Sequence, residues 1–267
     1  MLTKYEGGQG KGYMRNVGNL VAARESWLKK ENSNLDYLLS SRYSWMNGFI
    51  PKYSQVLEIG AGFGASEGYI RDDIRLQISD NNSNSWLKIK NLDAAKIADY
   101  EKDNFQIVIA NNVIHHLAFP KKFILDTFSI LPKNGKIIIQ EINTSLLCRF
   151  VLRILRHEPF NENVDVTNVL NPMSNPNDNW DANCSVPNLL FSDSGRFEEH
   201  FPGLEISHFK YTETLLLLLS GGVTAKVWYP KIPRKILRLI ENLDNCLCKI
   251  SPRFFAFQMQ VVIERKD

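Results

Sequence analysis

The run Val56-Leu-Glu-Ile-Gly60-Ala-Gly-Phe-Gly64-Ala-Ser66 decides the fold. Its apolar first half is typical of a buried strand, and the three glycines that follow predict a tight turn. Glycine accepts a positive φ and lets the backbone approach a ligand without a clash from Cβ. We expect a helix to begin near Ala65, with its unpaired N–H groups beside the turn. The run therefore predicts a strand, a ligand-binding loop and a helix.

Apolar strands and helical segments alternate after this run. A helix is predicted to begin at Pro120 and to end near Leu131. Such alternation indicates parallel pairing with helices on both faces of the sheet. The two last strand-like runs are expected to join the same sheet, which makes the fold α/β and Rossmann-like with seven strands. The predicted later strands are 75–79, 89–92, 105–110, 136–142, 204–212 and 255–263.

Outside this core the sequence predicts an N-terminal helical extension and a long insertion. A helix at 34–50, capped by Asn34, precedes the first strand. Nine Asn and three Pro make 161–188 rich in turns, with Trp180 among them. We divide the chain into an extension (1–50), a core (51–145), a helix with the Asn-rich insertion (146–203), and edge strands with an amphipathic helix of the same domain (204–267).

Composition excludes several classes of protein. The 267 residues are 44% hydrophobic and 23% charged, as in globular chains, and the net charge of +3 gives no field that favours nucleic acid. The start of the chain has no apolar segment typical of a secretory signal, and the apolar run 215–219 is too short to cross a bilayer. The four cysteines lack metal-binding spacing, so we expect no metal and a reducing, cytoplasmic environment.

Carboxylates at three strand ends indicate what the glycine turn binds. Glu58 lies two residues before the first glycine, where it would repel a pyrophosphate and attract an ammonium group. Asp80 closes the second strand, where its carboxylate can accept from both ribose hydroxyls. Asp93 follows the third strand, where it can take an adenine amino group. Asp80 suits either NAD or S-adenosylmethionine, whereas Glu58 and Asp93 favour S-adenosylmethionine.

Taken in order, these motifs resemble the class I S-adenosylmethionine-dependent methyltransferases. The matching elements between 56 and 141 are Glu58-x-Gly60-x-Gly62-x-Gly64, Asp80, Asp93-Ala94, Asn111-Asn-Val-Ile-His-His116-Leu and Leu131-Pro-Lys-Asn-Gly135-Lys. The His-His-Leu turn is similar to that of the small-molecule and lipid branch, with its type 11-like domain. The resemblance implies an antiparallel hairpin of strands six and seven at the sheet edge.

The resemblance also implies a cofactor and its binding residues. The cofactor is S-adenosylmethionine, with S-adenosylhomocysteine as product. Glu58 lies near its ammonium group, and Asp80 binds the ribose. Asp93 and Ala94 hold the adenine, and the Ala110–Asn111 backbone meets the cofactor where strand four ends. The methionine part is wrapped by Gly60, Ala61, Gly62 and Gly64. No Asn-Pro-Pro-Tyr/Phe motif follows strand four, which argues against methylation of adenine bases or glutamine side chains.

The acceptor is less well defined by the sequence. A hydroxyl acceptor needs a general base, and His116 and His157 are the candidates; a histidine in the turn after strand four can equally be structural. The N-terminal helix and the Asn-rich insertion are expected to cover the acceptor, because loops beyond the carboxyl ends of parallel strands form the cleft. We predict methyl transfer to a small-molecule, glycolipid or lipid-linked acceptor. An NAD-dependent oxidoreductase and an inactive cofactor-binding scaffold are the alternatives.

The C-terminal segment 221–255 is basic and amphipathic. It carries seven Lys and Arg residues against Glu241 and Asp244, and its apolar residues from Ile236 to Ile250 form one stripe. Such a stripe more often faces the core of a protein. The other interpretation is peripheral contact with a membrane surface, near a lipid-linked acceptor.

Overall fold

Seven strands form one sheet in a computed structural model, which describes residues 20–81, 90–100, 104–155, 158–223 and 228–266. The spatial order is β3-β2-β1-β4-β5-β7-β6. Strands β1 to β5 are parallel, and β7 lies antiparallel between β5 and β6. The strands are β1 (Gln55–Ile59), β2 (Arg75–Asp80), β3 (Lys90–Asn91), β4 (Ile107–Asn111), β5 (Lys136–Ile142), β6 (Leu204–Thr212) and β7 (Gln258–Arg265).

This strand order confirms the seven-stranded sheet with an antiparallel hairpin at its edge. A dinucleotide-binding Rossmann sheet has the order 3-2-1-4-5-6. Here the sixth position is taken by a strand of opposite direction, which pairs with all seven residues of β5. The topology therefore opposes the NAD-binding alternative before any side chain is considered.

Helices cover both faces of the sheet. Helix α2 packs with Val56, Ile109 and Ile138 on one face, whereas α3, α5 and α6 belong to the larger core on the other face. The helices are α1 (Leu20–Leu28), α2 (Ser33–Ser44), α3 (Pro120–Ile130), α4 (Leu146–Leu155), α5 (Val186–Phe191), α6 (Ser194–His200), α7 (Leu215–Leu219), α8 (Arg234–Ile250) and α9 (Pro252–Phe255). Among the described helices, none is long and apolar enough to cross a membrane.

Two helix predictions were wrong in their details. The segment after the glycine loop is a single 3₁₀ turn, Ala65–Gly68, because the chain must return to β2 at Arg75 within a few residues. The N-terminal helix ends at Ser44, and its cap is Asn32, whose side chain accepts from Asn34 N and Leu35 N. Asn34 is instead fully buried, and its Nδ2 donates to the carbonyls of Leu219 and Pro230.

Two strands begin later than the sequence predicts. Strand β4 starts at Ile107 and not at Phe105, whose ring is buried beside Tyr100. Strand β7 starts at Gln258, because Pro252 opens the short helix α9 immediately before it. Both segments were predicted from apolar character alone, which does not distinguish a buried strand from a buried helix.

A buried ion pair fixes α2 against the strand ends. Arg42 donates from Nε and Nη2 to the two carboxylate oxygens of Glu213, at 2.8 and 2.7 Å. Gln140 on β5 donates to Glu213 Oε1 at 3.3 Å and accepts from Trp45 Nε1 at 3.0 Å. Such a two-pronged pair is strong and specific in geometry. It links α2, β5 and the segment that follows β6.

Replacement of Glu213 by alanine should destabilise the protein strongly, because Arg42 would be left buried without its partner. We expect the free energy of unfolding, measured by urea titration, to fall by about 3–5 kcal/mol. The double variant Arg42→Met/Glu213→Ala removes the unpaired charge and should recover most of that loss. A single-variant loss no larger than that of an exposed pair, about 1 kcal/mol, would contradict this role.

Candidate functional site

The glycine loop lies at the carboxyl end of β1 in a conformation that requires glycine. Gly60, Gly62 and Gly64 have φ of 66°, 55° and 74°, where L residues with side chains are strained. A Cβ at Gly60 would also lie 2.5 Å from Val113 Cγ2. Arg24 on α1 donates to the Gly64 carbonyl at 2.8 Å, which holds the loop from outside.

Asp80 reaches this loop from the end of β2. Its Oδ2 accepts from Gly62 N–H at 2.9 Å, and the neighbouring Ala61 N–H donates to Ser79 O at 2.9 Å. The side chain is largely buried. The sequence predicted that Asp80 and the residues Gly60–Gly64 share one site, and the structure brings them together.

Glu58 is buried behind the loop. Tyr43 on α2 donates to Glu58 Oε1 at 2.9 Å, and the Ser66 hydroxyl donates to Oε2. Burial raises the pKa of Glu58 to about 7, although the hydrogen bonds from Ser66 and Tyr43 oppose this shift. Both oxygens therefore have partners within the protein, and the carboxylate titrates near neutral pH.

The predicted adenine and strand-four residues lie at the neighbouring strand ends. Asp93 caps the 3₁₀ helix Ala94–Asp99 by accepting from Ala95 N at 2.9 Å. Leu92 N donates to Asp80 O, which places this segment beside the end of β2. Ala110 pairs with Ile59, so the Ala110–Asn111 backbone lies beside the start of the glycine loop.

His115 belongs to a buried network of two carboxylates and an imidazole in the turn after β4. Its Nδ1 lies 2.7 Å from Glu141 Oε2, and its Nε2 lies 3.5 Å from Glu158 Oε2. Burial lowers the pKa of His115, but the two carboxylates outweigh it and raise the pKa to about 10. Glu141 also accepts from Ile114 N at 2.5 Å. His115 is therefore a charged structural residue that fixes the turn after β4.

His116 has the properties of a neutral base. Its Nδ1 lies 3.0 Å from the Asp181 carbonyl, so Nδ1 carries the proton and Nε2 keeps its lone pair. Nε2 lies 4.0 Å from Glu158 Oε1, and 21% of the side chain is exposed. Burial and the charge of His115 lower the pKa of His116. The second predicted candidate, His157, lies outside the described residues.

The same side chains bring metal-binding atoms close together. One ligand atom each from His115, His116 and Glu158 lie within 4.8 Å of one another. The imidazolium of His115 already supplies positive charge between Glu141 and Glu158, so an ion pair accounts for this arrangement. The expectation that the protein carries no metal stays a prediction.

The Asn-rich insertion crosses the top of the sheet. Asn183 N donates to His115 O at 2.8 Å, and Ser174 Oγ donates to His116 O at 2.6 Å. Between these two residues, Asn179 Nδ2 donates to Asn81 Oδ1 at 2.7 Å, next to Asp80. The insertion therefore connects the turn after β4 with the end of β2 across the glycine-loop edge of the sheet.

Sequence reasoning did not identify the partners of the two histidines. Glu158 follows His157 directly in the sequence, and no motif marks it. Asp181 contributes a backbone carbonyl, which no side-chain pattern can reveal. Glu141 lies near the end of β5. The structure shows that it accepts from Ile114 N, Ile142 N and the imidazole of His115.

A polar cavity of about 360 Å³ lies beside the ion pair of Arg42 and Glu213. It is lined by α2, β6, β7, α8 and the segment after β6, and the 161–188 insertion does not line it. The buried hydroxyl of Thr212 on its wall finds no hydrogen-bond partner within the described residues. Further lining residues include Tyr37, Trp45, Lys210, Glu241 and Gln260.

Comparisons with known proteins place this fold. No family model and no curated protein matches the chain. The solved structure of a SAM-dependent methyltransferase from Archaeoglobus fulgidus covers 86% of this chain and 93% of its own, at 17% identity and a TM-score of 0.52. The chain has the class I methyltransferase fold. A methyltransferase of Burkholderia thailandensis, solved with 1,6-didemethyltoxoflavin and S-adenosylhomocysteine, is similar at 10% identity and a TM-score of 0.46, covering 93% of this chain and 86% of its own.

The raised pKa of Glu58 predicts a specific pH dependence of stability. The folded protein binds a proton at Glu58 up to about pH 7, whereas the unfolded chain loses it near 4.5. The free energy of unfolding should therefore fall as pH rises between these values, by roughly 3 kcal/mol from this group. Chemical denaturation of Glu58→Gln at pH 5 and pH 8 should lack this decrease, and Glu25→Gln on the exposed side of α1 should keep it. Parallel pH profiles for the wild type and Glu58→Gln would refute the assignment.

Proposed function

We propose that this protein is an S-adenosylmethionine-dependent methyltransferase that methylates a hydroxyl group on a small-molecule, glycolipid or lipid-linked acceptor. The observation that carries the proposal is the glycine loop held by the Asp80 carboxylate at adjacent strand ends. In the class I fold this position is where a nucleoside cofactor would lie. The sheet order supports this reading over a dinucleotide site.

The cofactor would be held by groups from four strand ends. The backbone of Gly60, Ala61, Gly62 and Gly64 would surround the methionine part. Asp80 can accept from the ribose hydroxyls while one of its oxygens keeps the Gly62 N–H. Asp93 and Ala94 would contact the adenine. Ala110 and Asn111 would form the floor of the cofactor site. A cationic ammonium near Glu58 would favour the ionised form of that carboxylate.

Methyl transfer to a hydroxyl requires the protein to position the two reactants and to supply a base. Bound S-adenosylmethionine would supply an activated methyl group to the acceptor oxygen, and the electrons of the broken carbon–sulfur bond would remain on sulfur in neutral S-adenosylhomocysteine. The hydroxyl proton would pass to Nε2 of His116. The Asp181 carbonyl orients that imidazole by accepting from Nδ1–H, so Asp181 is a positioning residue.

The Asn-rich insertion and α2 would exclude water from the site. The insertion already spans from Asn81 to the His115–His116 turn. Helix α2 contacts the site through Tyr43 and lines the neighbouring polar cavity. Enclosure of the reacting groups aligns them and strengthens electrostatic interactions. We therefore propose that these two parts recognise the acceptor.

Two alternatives make different predictions. An NAD-dependent oxidoreductase would bind NADH, although Glu58 and the antiparallel β7 oppose it. A catalytically inactive scaffold would bind S-adenosylhomocysteine but would transfer no methyl group to any acceptor. Calorimetry with both cofactors, followed by a transfer assay, separates the three cases.

Replacement of Asp80 should weaken cofactor binding. Asp80→Ala removes charge-assisted hydrogen bonds worth about 1.5–3 kcal/mol, so calorimetry should show a roughly 10- to 100-fold lower affinity for S-adenosylhomocysteine. Asp80→Asn keeps an oxygen for Gly62 N–H and should show a smaller loss. Asp72→Ala, on the exposed connection before β2, should bind like the wild type. Unchanged affinity in Asp80→Ala, or NADH binding in its place, would overturn the proposal.

Replacement of His116 should separate catalysis from binding. His116→Gln removes the proton acceptor, so the rate of labelled methyl transfer should fall about 10²- to 10⁴-fold. Its affinity for S-adenosylhomocysteine should match the wild type, since His116 holds no cofactor atom in this proposal. His200→Gln on α6 is the matched control and should keep full activity. Wild-type turnover in His116→Gln would exclude this residue as the base.

A further inference from the structure

Four of the six apolar residues in the α8 stripe face solvent, whereas Leu247 is half-buried and Ile240 packs against the buried cluster that contains Leu237. The expectation of a core-facing stripe is therefore wrong for most of its residues. Leu239, Leu243 and Ile250 are 64%, 48% and 73% exposed, and Ile236 is exposed with them. The inner side of α8 is instead formed by Leu237, Asp244 and Cys248, which are buried. The helix therefore presents a continuous row of aliphatic side chains to the outside.

Charge along this segment is distributed unevenly. Both acids between 228 and 255 face the protein: Glu241 accepts from Tyr37 and Ser41, and Asp244 caps the start of α7. The cations lie at exposed positions, and Arg234 also reaches α2, where it lies over the Tyr37 ring. The exposed ones are Lys231, Arg234, Lys235, Arg238, Lys249 and Arg253. An aliphatic row flanked by outward cations is typical of a helix that lies in the interface of a bilayer.

Neighbouring elements extend the apolar surface. Trp228, just before α8, is 85% exposed, and Phe254 on α9 is also exposed. Helix α9 contacts both α8 and α4, and α4 exposes Phe150 and Ile154. Helices α4 and α8 follow the carboxyl ends of β5 and β6, on the same edge of the sheet as the glycine loop. The surface therefore lies at the end of the molecule where the proposed reaction occurs.

We propose that α8, with Trp228 and Phe254, docks the protein onto an anionic lipid bilayer and that the methyl acceptor is taken from that membrane. The second half of this statement rests on the proposed methyltransferase function, and the first half does not. The inner side of α8 lines the polar cavity that holds the unpaired Thr212 hydroxyl, so docking would place that cavity about one helix diameter from the bilayer surface.

Charge complementarity selects this partner over a second copy of the chain. In a symmetric dimer through α8 the outward cations of one helix would face those of the other, and like charges repel. An anionic lipid surface attracts the same cations and accepts the aliphatic row. At 17 residues with several charges, α8 would lie on the bilayer and would not cross it.

Vesicle cosedimentation of the full chain tests docking without cofactor or acceptor. We expect binding to phosphatidylcholine vesicles that contain phosphatidylglycerol, at least tenfold weaker binding to pure phosphatidylcholine, and loss of binding at high salt. The variant Leu239→Asp/Leu243→Asp should bind at least tenfold more weakly, and Lys235→Glu/Arg238→Glu should lose the preference for anionic lipid. Leu125→Asp on α3, a leucine of similar exposure to Leu243, and Lys133→Glu should bind like the wild type.

Equal binding of all variants, or no binding to anionic vesicles at low salt, would overturn the proposal. Light scattering that shows a dimer broken by Leu239→Asp/Leu243→Asp would assign the surface to a second copy instead. Circular dichroism of each variant confirms that the fold is retained, as expected for exposed positions. Because this assay involves no methyl transfer, failure of docking and failure of the methyltransferase proposal are separate results.

Discussion

The hydrogen bond from the Gly62 N–H to the Asp80 carboxylate, 2.9 Å long, joins the ends of β1 and β2 across the candidate cleft. The loop can make it because three glycines adopt positive φ, and because glycine has no Cβ the space above the strand ends stays open. We propose that the same carboxylate accepts from the ribose hydroxyls of the cofactor. The loop conformation and the proposed cofactor site therefore depend on one contact.

Buried acids with different partners organise the rest of the cleft. Glu58 is held by hydroxyl groups and titrates near pH 7, whereas Glu141 is held by backbone N–H groups and by the charged His115. Glu213 is paired with Arg42 in a two-pronged ion pair. Because each of these carboxylates has a different environment, the titratable groups beside them can carry different charges. A charged His115 and a neutral His116 can then lie side by side.

Much of the fold could be predicted from sequence, because strands such as 136–142 and 204–212 are marked by strong apolar periodicity and by turns. The 3₁₀ turn at Ala65 could not be predicted, because its length is set by the distance back to β2 and not by local helix propensity. The cap was assigned to Asn34, but tertiary hydrogen bonds take that side chain into the core. Asp80 and the loop were found because one strand ends in glycines and the next in an acid. The Asp181 carbonyl carries no side-chain signal and could not be found.

Helix α8 shows why amphipathicity alone does not assign a face. The sequence revealed the apolar stripe of α8. Which side of the helix faces the protein depends on Asp244, which points inward and caps α7.

Binding of S-adenosylmethionine by the glycine loop and Asp80 is best tested by a crystal structure with S-adenosylhomocysteine. We expect the ribose hydroxyls within hydrogen-bonding distance of Asp80, the adenine beside Asp93 and Ala94, and the methionine part over Gly60–Gly64. A ligand bound elsewhere, or an empty loop at saturating ligand, would contradict it.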